Sequence, residues 1–367
     1  MDEGEAGRIH AAEMVLPCTD LDATLRFFTE SIGFRVEMIA PADGPSVAVI
    51  AGYGLRLRLD THETGPAGTI RLRARWPDAI AGGNRLLTAP NGTLIRIVDA
   101  DFPVVLPPLD PDLVLARMGD AEWGAGRAGM LYRDLIPGRL GGRFIASHIL
   151  IRAGGPVPDY VHFHNVRCQM IFCRTGWVRL VYEDQGPPFV MEAVDCVLQP
   201  PRIRHRVLEC SAGLEVVEIG CPALHETFAD PDLPLPNPTI APLRPFDGQR
   251  FQRHIAAKAR WHAGDVPGSA FIDTGIAAAT GGLAGVRVIR PGPATPPRPA
   301  VHPGELLFHF VLQGALELRC GGRHPLAAGD AFTIPAAMPY GFEACADALA
   351  LLEVTMPAVA TPDPPSA

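Results

Sequence analysis

"VHFHNVRCQMIFCRTG", residues 161 to 176, sets His162 and His164 one residue apart, follows them with Gln169 and closes on Gly176. On a strand, residues i and i+2 point to the same face, so both imidazoles can be aimed at one point. A third ligand must come from elsewhere. His205, in "PPRIRHRV", lies where another strand can cross back beside the first. Neutral imidazole suits iron, zinc, copper and nickel and, less well, manganese. Gln169 either completes the shell or stands just outside it. An H-x-H pair on a strand is also common as plain structure, so the metal reading rests on the three histidines together.

The surroundings of this stretch recur later in the chain. "RTGWVRLVYEDQ" and "LQGALELRCGG" align through Gly176 and Gly314, and "AVDCVLQPPRIRHRV" and "AAGDAFTIPAAMPYGF" through Asp195 and Asp330. Pro200 then meets Pro335 and His205 meets Tyr340 without a gap, while His164 and His302 each stand twelve residues before their glycine. Both pieces read as short strands broken by Gly and Pro, which predicts two small all-β barrels or sandwiches. Pro-rich stretches at 101–113 and 230–248 separate these pieces from each other and from what precedes them.

With its anchors placed, the region resembles the cupin family at both of that family's motifs. Gly155, His162, His164 and Gly176 match the first motif, with Gln169 where a glutamate normally stands. Pro200 and His205 match the second, with Asp195 beside the turn, and Val194 and Arg202 stand where the family has glycines. The resemblance covers residues 127–357 and implies two tandem barrels, a bicupin, at 115–228 and 245–357. It implies a divalent metal on His162, His164 and His205 in the first barrel, with Gln169 in or next to the shell. In the second barrel Ala300, Leu307 and Tyr340 occupy the positions of His162, Gln169 and His205, and His302 alone keeps the ligand type. That barrel is expected to be metal-free and to serve as scaffold or dimer interface.

The first hundred residues differ. "TDLDATLRFFTESIG" places Leu21, Leu25, Phe28 and Ile32 on one helical face, with Thr19 or Asp20 as N-cap and Gly33 as the stop. "EMVLPC" precedes it, and "FRVEMIA", "PSVAVIAG" and "GLRLRLD" follow as strands, giving the order βαβββ; "IRLRARW" and "TLIRIVDAD" add two more strand-like pieces. This order resembles the vicinal-oxygen-chelate (glyoxalase-like) family over residues 1–105. In that family a ligand sits on the first strand and another on the last; here those places fall at Glu13 and Arg96, and a guanidinium cannot ligate a metal. The segment is therefore expected to be a structural or dimerising domain without metal. The fold class expected for the chain is mainly β, two tandem cupin barrels preceded by this small α+β domain.

Composition excludes several alternatives. The chain has 367 residues, 47% of them hydrophobic, which permits two or three globular domains. A net charge of −8 offers no basic surface for nucleic acid or anionic membranes. No apolar run approaches the ~18 residues of a membrane span, and the acidic start is unlike a signal peptide, so the expected location is cytoplasmic. The eight cysteines form no C-x-x-C pair and read as reduced core thiols. G-x-S-x-G and G-x-x-x-x-G-K-[ST] are both absent.

Three neutral histidines leave the full charge on a divalent ion and leave coordination positions open. Glutamine, unlike glutamate, neither neutralises charge nor acts as a base, so an anionic chelating substrate gains most from such a site. The cupin resemblance implies a metal-dependent oxidoreductase, foremost an Fe(II) dioxygenase using O2 on a small oxygen-rich or aromatic substrate, with Zn, Mn, Ni or Cu as other metals. The other readings are a metal-dependent isomerase or lyase and a non-catalytic small-molecule sensor. His148 and Arg152, on the strand before the motif, are further candidates for substrate contact or for a plain barrel rim. Met170, Phe172 and Trp177 read as core. Homo-oligomers are expected from the resemblance and from exposed sheet edges.

Overall fold

The computed structural model describes residues 9–100, 103–292 and 299–359; the acidic opening residues and the first two positions of the 101–113 stretch lie outside them. The chain divides into two compact units, Met1–Pro103 and Val104–Ala367.

In the first unit the Asp20 carboxylate accepts the Ala23 N–H at 2.9 Å and caps helix α1 (Leu21–Arg26). The expected helix continues to Ile32, but its second half, Phe27–Ile32, is wound more widely as a π-helix, and Gly33 ends it at φ 91°. Phe28 and Ile32 are buried there, as the spacing predicts. Strands β1 (Met14–Pro17), β2 (Arg35–Ala40), β3 (Val47–Gly52) and β4 (Leu55–Asp60) form a sheet in the order β1-β4-β3-β2, with β1 parallel to β4. Alternation in β4 works as read: Leu57 and Leu59 are fully buried, while Arg56 reaches out to the carboxylates of Glu13 (3.2 Å) and Glu37 (3.0 Å). A separate sheet joins β5 (Thr69–Ala74), β6 (Leu86–Thr88) and β7 (Leu94–Asp99), with β7 central. The short β6 carries no periodic signal and was not expected.

The second unit is almost entirely β. Its first lobe sets a seven-stranded sheet, which includes Ile145–Ile151, Cys168–Thr175, Cys196–Gln199 and Leu214–Cys221, against a six-stranded one that includes His162–His164, Trp177–Tyr182 and His205–Cys210. The second lobe repeats this with seven strands, Gly285–Arg290, Leu306–Gln313 and Ala350–Met356 among them, and a three-stranded sheet centred on Ala315–Arg319. The repeat is legible in backbone detail. Gly176 and Gly314 both turn at left-handed φ, 77° and 79°. Asp195 accepts from Glu192 N (3.1 Å) and Ala256 N (2.7 Å), and Asp330 accepts from Ala327 N (2.9 Å) and Met118 N (2.7 Å).

Those last contacts correct the picture of two separate barrels at 115–228 and 245–357. Strand β8 (Leu115–Ala116) pairs with Ala331–Thr333 of the second lobe, and Gln252–His254 pairs with Cys196–Gln199 of the first. Each half gives the other an edge strand, and Asp195 and Asp330 clasp the chain just beyond the exchanged strands. The outer faces of the two large sheets also share one core, in which Met170, Phe172, Val217 and Ile219 meet Val286, Phe308, Phe310 and Val354. Trp177, expected in the core, is 37% exposed. All eight cysteines are free thiols, and every one except Cys345 is buried. No helix among the described residues is long and apolar enough to cross a membrane.

Phe310, fully buried, packs from the second lobe onto the His148 ring (5.4 Å between centroids) and under the Arg174 guanidinium (5.4 Å), both in the first lobe. Truncation there removes contacts from both lobes at once. Phe310→Ala should cost about 3–5 kcal/mol, and calorimetry of the variant should still show one cooperative transition for this unit rather than two.

Burial lowers the pKa of His254, against the opposing pull of Asp195 and Asp273, so it is neutral when folded. The unfolded chain takes up that proton near pH 6.5. The stability it contributes is therefore complete above about pH 6.5 and declines as pH falls below it, by up to about 1.4 kcal/mol per unit. Denaturant titrations at pH 7.5 and 5.5 should show a smaller acid loss in His254→Gln than in the wild type.

Candidate metal centre

The strand His162–His164 is held between two neighbours, pairing with His205–Cys210 at the single register His162↔His205 and with Thr227–Ala229 on its other edge. Directly opposed residues on adjacent strands project to the same face, so His205 joins the two imidazoles that the alternation of residues 162–164 already aims together. Ring centroids lie 4.3 Å apart for His162 and His205 and 5.2 Å for each of the other pairs. One ligand nitrogen from each ring lies within 4.8 Å of the others.

The outer nitrogens fix the tautomers. Nδ1 of His162 donates to the Tyr160 carbonyl (2.8 Å) and Nδ1 of His205 to the Ile203 carbonyl (3.0 Å), each two residues back. Nδ1 of His164 meets the Thr227 hydroxyl at 2.9 Å. The Nε2 lone pair of His205 is therefore left for the cluster, while that of His162 points the same way and accepts an N–H of Arg127. Burial is the main cause that lowers all three pKa values, with mutual repulsion among the rings adding to it for His164 and His205. All three are neutral imidazoles, the form that binds a metal. This donor set fits a divalent ion held by His162, His164 and His205.

Gln169 lies opposite Gln199 on the neighbouring strand, and both line the same cavity of about 250 Å³ as the three histidines. Its Nε2 donates to Glu218 Oε1 at 2.8 Å, which turns its carbonyl oxygen the other way, and that oxygen is buried without a hydrogen-bond partner. Gln199 repeats the pattern, donating to the Tyr182 hydroxyl (2.9 Å) with its own Oε1 unpartnered. The rest of the cavity is largely apolar, walled by Ile149, Val178, Leu180, Met191 and Val216.

Several residues of the site give no signal in the sequence. Arg127 brings Nη2 to 2.8 Å from His162 Nε2, on the face where a metal would lie. Buried Asp159 anchors that guanidinium at 3.1 Å through Oδ1 and accepts Val207 N through Oδ2 at 2.9 Å, tying Arg127 to the strand that carries His205. Glu218 and His225 also line the cavity, with the His225 ring 5.5 Å from that of His164. Asp159, three residues before His162, was discoverable by position; Arg127, far upstream, was not.

His148 and Arg152 do not line the cavity: His148 fits neither of its two readings, and Arg152 fits that of an exposed rim. His148 is fully buried on the outer face of its strand, where its Nε2 lies 2.7 Å from Glu215 and its ring packs on Trp123 and Phe310. Period-two alternation gives the cavity Ser147, Ile149 and Ile151 instead, and Arg152 is exposed just past the strand end. Cys168 and Cys173, near the ligands in sequence, have thiols pushed up to about 12 by burial and are not thiolates. Val194 (φ 74°) and Arg202 (φ 61°) keep the left-handed backbone of the glycines they stand in for. Arg202 is braced by its N–H on the His164 carbonyl (3.1 Å) and its side chain on Asn165 Oδ1 (3.3 Å).

In the second lobe Ala300 and Tyr340 form the bridge that corresponds to His162↔His205, which confirms the alignment of the repeats. His302 spends its Nε2 on the Ile334 carbonyl (2.6 Å), and His309 is bonded to Glu353 (3.2 Å). Metal loss on mutation should accordingly be confined to the first lobe. Mass spectrometry of protein purified without a metal-binding tag should find about one equivalent in the wild type and little in His205→Ala, whereas His302→Ala should leave the content unchanged. Comparable metal in wild type and His205→Ala would overturn the site.

Residues 285–355 match the family profile described as a cupin domain. No curated protein matches the chain by sequence. Among solved structures, oxalate decarboxylase from Bacillus subtilis at pH 4.6 superposes with a TM-score of 0.51 at 14% identity, over 70% of this chain and 78% of that one. A second structure of that enzyme, from work on its Mn(II) centres, gives 0.50 at 12% identity over 72% and 81%. At such identity the likeness concerns the fold alone, and it agrees with the repeated lobes: the β-rich unit has a cupin fold of the two-lobed kind.

Proposed function

We propose that the protein is a metal-dependent oxidoreductase of the dioxygenase type, acting on a small, anionic, oxygen-rich substrate in the first lobe. The observation that carries this reading is the pairing of three neutral, converging imidazoles with a guanidinium and two unpartnered amide carbonyls around one cavity. Bound there, Fe(II) would supply activation of O2 beside a chelated substrate.

The chain's own groups define what that substrate is. Three imidazoles and an amide subtract no charge from a divalent ion, so an enolate, phenolate or carboxylate is favoured over a neutral ligand. Arg127, oriented by Asp159, offers its donors to the same anion. The Gln169 and Gln199 carbonyls, buried without donors, would accept hydroxyl groups of the substrate, and Glu218 holds the Gln169 amide in the orientation that allows this. The apolar wall takes the carbon body and keeps bulk water away. The first unit serves in this reading as a structural or dimerising element.

Oxygen consumption with Fe(II) and a panel of β-diketones, phenols and hydroxy acids tests the proposal. We expect uptake that depends on substrate and is abolished in His162→Ala. In Arg127→Ala the KM for anionic substrates should rise roughly 10–100-fold, the worth of a charged hydrogen bond, with a smaller change for neutral analogues. No uptake with any metal would sink the dioxygenase reading. Turnover under strict anaerobiosis, with manganese in place of iron, would select a lyase or isomerase instead, chemistry closer to the decarboxylation for which the structural neighbours are named. A metabolite that stabilises the protein and is recovered unchanged would select a sensor.

A further inference from the structure

The second lobe keeps only His302 of the three histidine positions but retains a cavity. About 250 Å³ remains open there, the same as in the first lobe. The strand registers show what replaced each group. Ser147 faces Glu218 in the first lobe, and Arg287 faces Glu353 in the second. Tyr132 opposite Ile149 becomes Phe271 opposite Ile289. His162 opposite His205 becomes Ala300 opposite Tyr340. Where the first lobe sets an imidazole cluster beside Arg127, the second has Arg287 and, among the described residues, no such cluster.

Arg287 lies 4.8 Å over the Phe271 ring and spends one donor on the Val359 carbonyl at 3.2 Å, leaving most of its five N–H groups for other partners. Glu353 lines the same cavity. Burial alone would raise its pKa, but the bond from His309 and the charge of Arg287 outweigh that and keep it ionised. His309 is fully buried and wedged between Phe332 and Phe342, so one Glu353 oxygen is committed to it and the other is left. The Tyr340 hydroxyl has no hydrogen-bond partner among the described residues. The cavity thus offers an anion receptor, a hydrogen-bond acceptor and aromatic walls within the reach of one small molecule.

We propose that the second lobe is a metal-independent binding site for a small hydroxy- or amino-carboxylic acid. The ligand's carboxylate would meet Arg287, its hydroxyl or ammonium group Glu353, and its apolar body Phe271 and Phe342. This does not depend on the chemistry assigned to the first lobe.

Calorimetric titration of the full-length, metal-loaded protein with mandelate and 3-hydroxybenzoate tests it, with phenylethane-1,2-diol, which lacks the carboxylate, as control. We expect a binding event for at least one acid that is weakened at least tenfold in Arg287→Gln and persists in Arg127→Gln, distinct from any binding in the first lobe, which Arg127→Gln would weaken. The diol should bind weakly and equally to wild type and Arg287→Gln. Phenylacetate, which lacks the hydroxyl, should bind more tightly to Glu353→Gln than to wild type, because the variant removes a repelling charge. Should Arg287→Gln fail to fold, as judged by its thermal transition, Tyr340→Phe keeps the fold and should weaken the acids two- to tenfold. Binding of neither acid, or binding lost only in Arg127→Gln, overturns the proposal. The latter result would place the ligand in the first lobe and leave the dioxygenase reading standing.

Discussion

The candidate site depends on one backbone pair, His162 opposite His205. Because side chains alternate with a period of two, a slip of one residue in that pairing would carry the His205 ring to the wrong face of the sheet. The register is held by contacts outside the strand itself. Gly155–Pro156 pairs with the same strand at Cys210 and Glu209, and Asp159 takes the Val207 N–H. Arg202 closes the turn before His205 on the His164 carbonyl. Asp159 does two things at once, since its other oxygen positions Arg127. A single buried carboxylate therefore links the geometry of the ligands to the charge of the cavity.

The burial of these groups carries a cost that the rest of the unit offsets. An unpartnered buried carbonyl costs about 1–3 kcal/mol, and Gln169 and Gln199 each carry one beside the cavity. Residues such as Val194 and Arg202 at left-handed φ cost roughly 1–2 kcal/mol more than glycine would. What makes such strain tolerable is the core shared by the two lobes and the reciprocal exchange of edge strands. Opening the first lobe alone would expose the faces of both large sheets. The second lobe therefore supports the first whether or not it binds anything itself.

The parts of this arrangement that were legible in the sequence are those fixed by local rules. Period-two spacing gave the orientation of His162 and His164, the glycines at 176 and 314 and the aspartates at 195 and 330 gave the repeat, and the spacing of Leu21, Phe28 and Ile32 gave the helix. What escaped depends on distant pairing. Arg127 reaches His162 only because the chain before the first lobe folds back beside the Asp159 loop, and no spacing rule encodes that. His148 fits neither a substrate contact nor an exposed rim, for a related reason. Its strand does line the cavity, but the residues on either side of it face inward while it faces the other lobe, whose existence as a packing partner is not written in that strand. The exchanged strands β8 and Gln252–His254 are two and three residues long, too short to carry a pattern of their own.

The two lobes show how one backbone frame supports two different arrangements of polar groups. The first places neutral acceptors around a point and so favours a cation brought in from outside. The second keeps the bridge geometry but substitutes a methyl group and a phenol at the bridge and a guanidinium for a serine on a strand of the large sheet. Replacement of Gln169 by Leu307 alone would have left a carboxylate without its donor, since Glu353 occupies the place of Glu218. Removing an ionised group's partner is strongly unfavourable in a buried site. Arg287 and His309 meet that requirement together, one by charge and one by a hydrogen bond, and Arg287 retains donors beyond those the fold consumes. A scaffold needing only stability would be satisfied by apolar side chains filling the space, as they do where Leu307 replaces Gln169. That the charged pair and the open volume persist together is what separates a cavity kept for a ligand from one left behind by the loss of a metal.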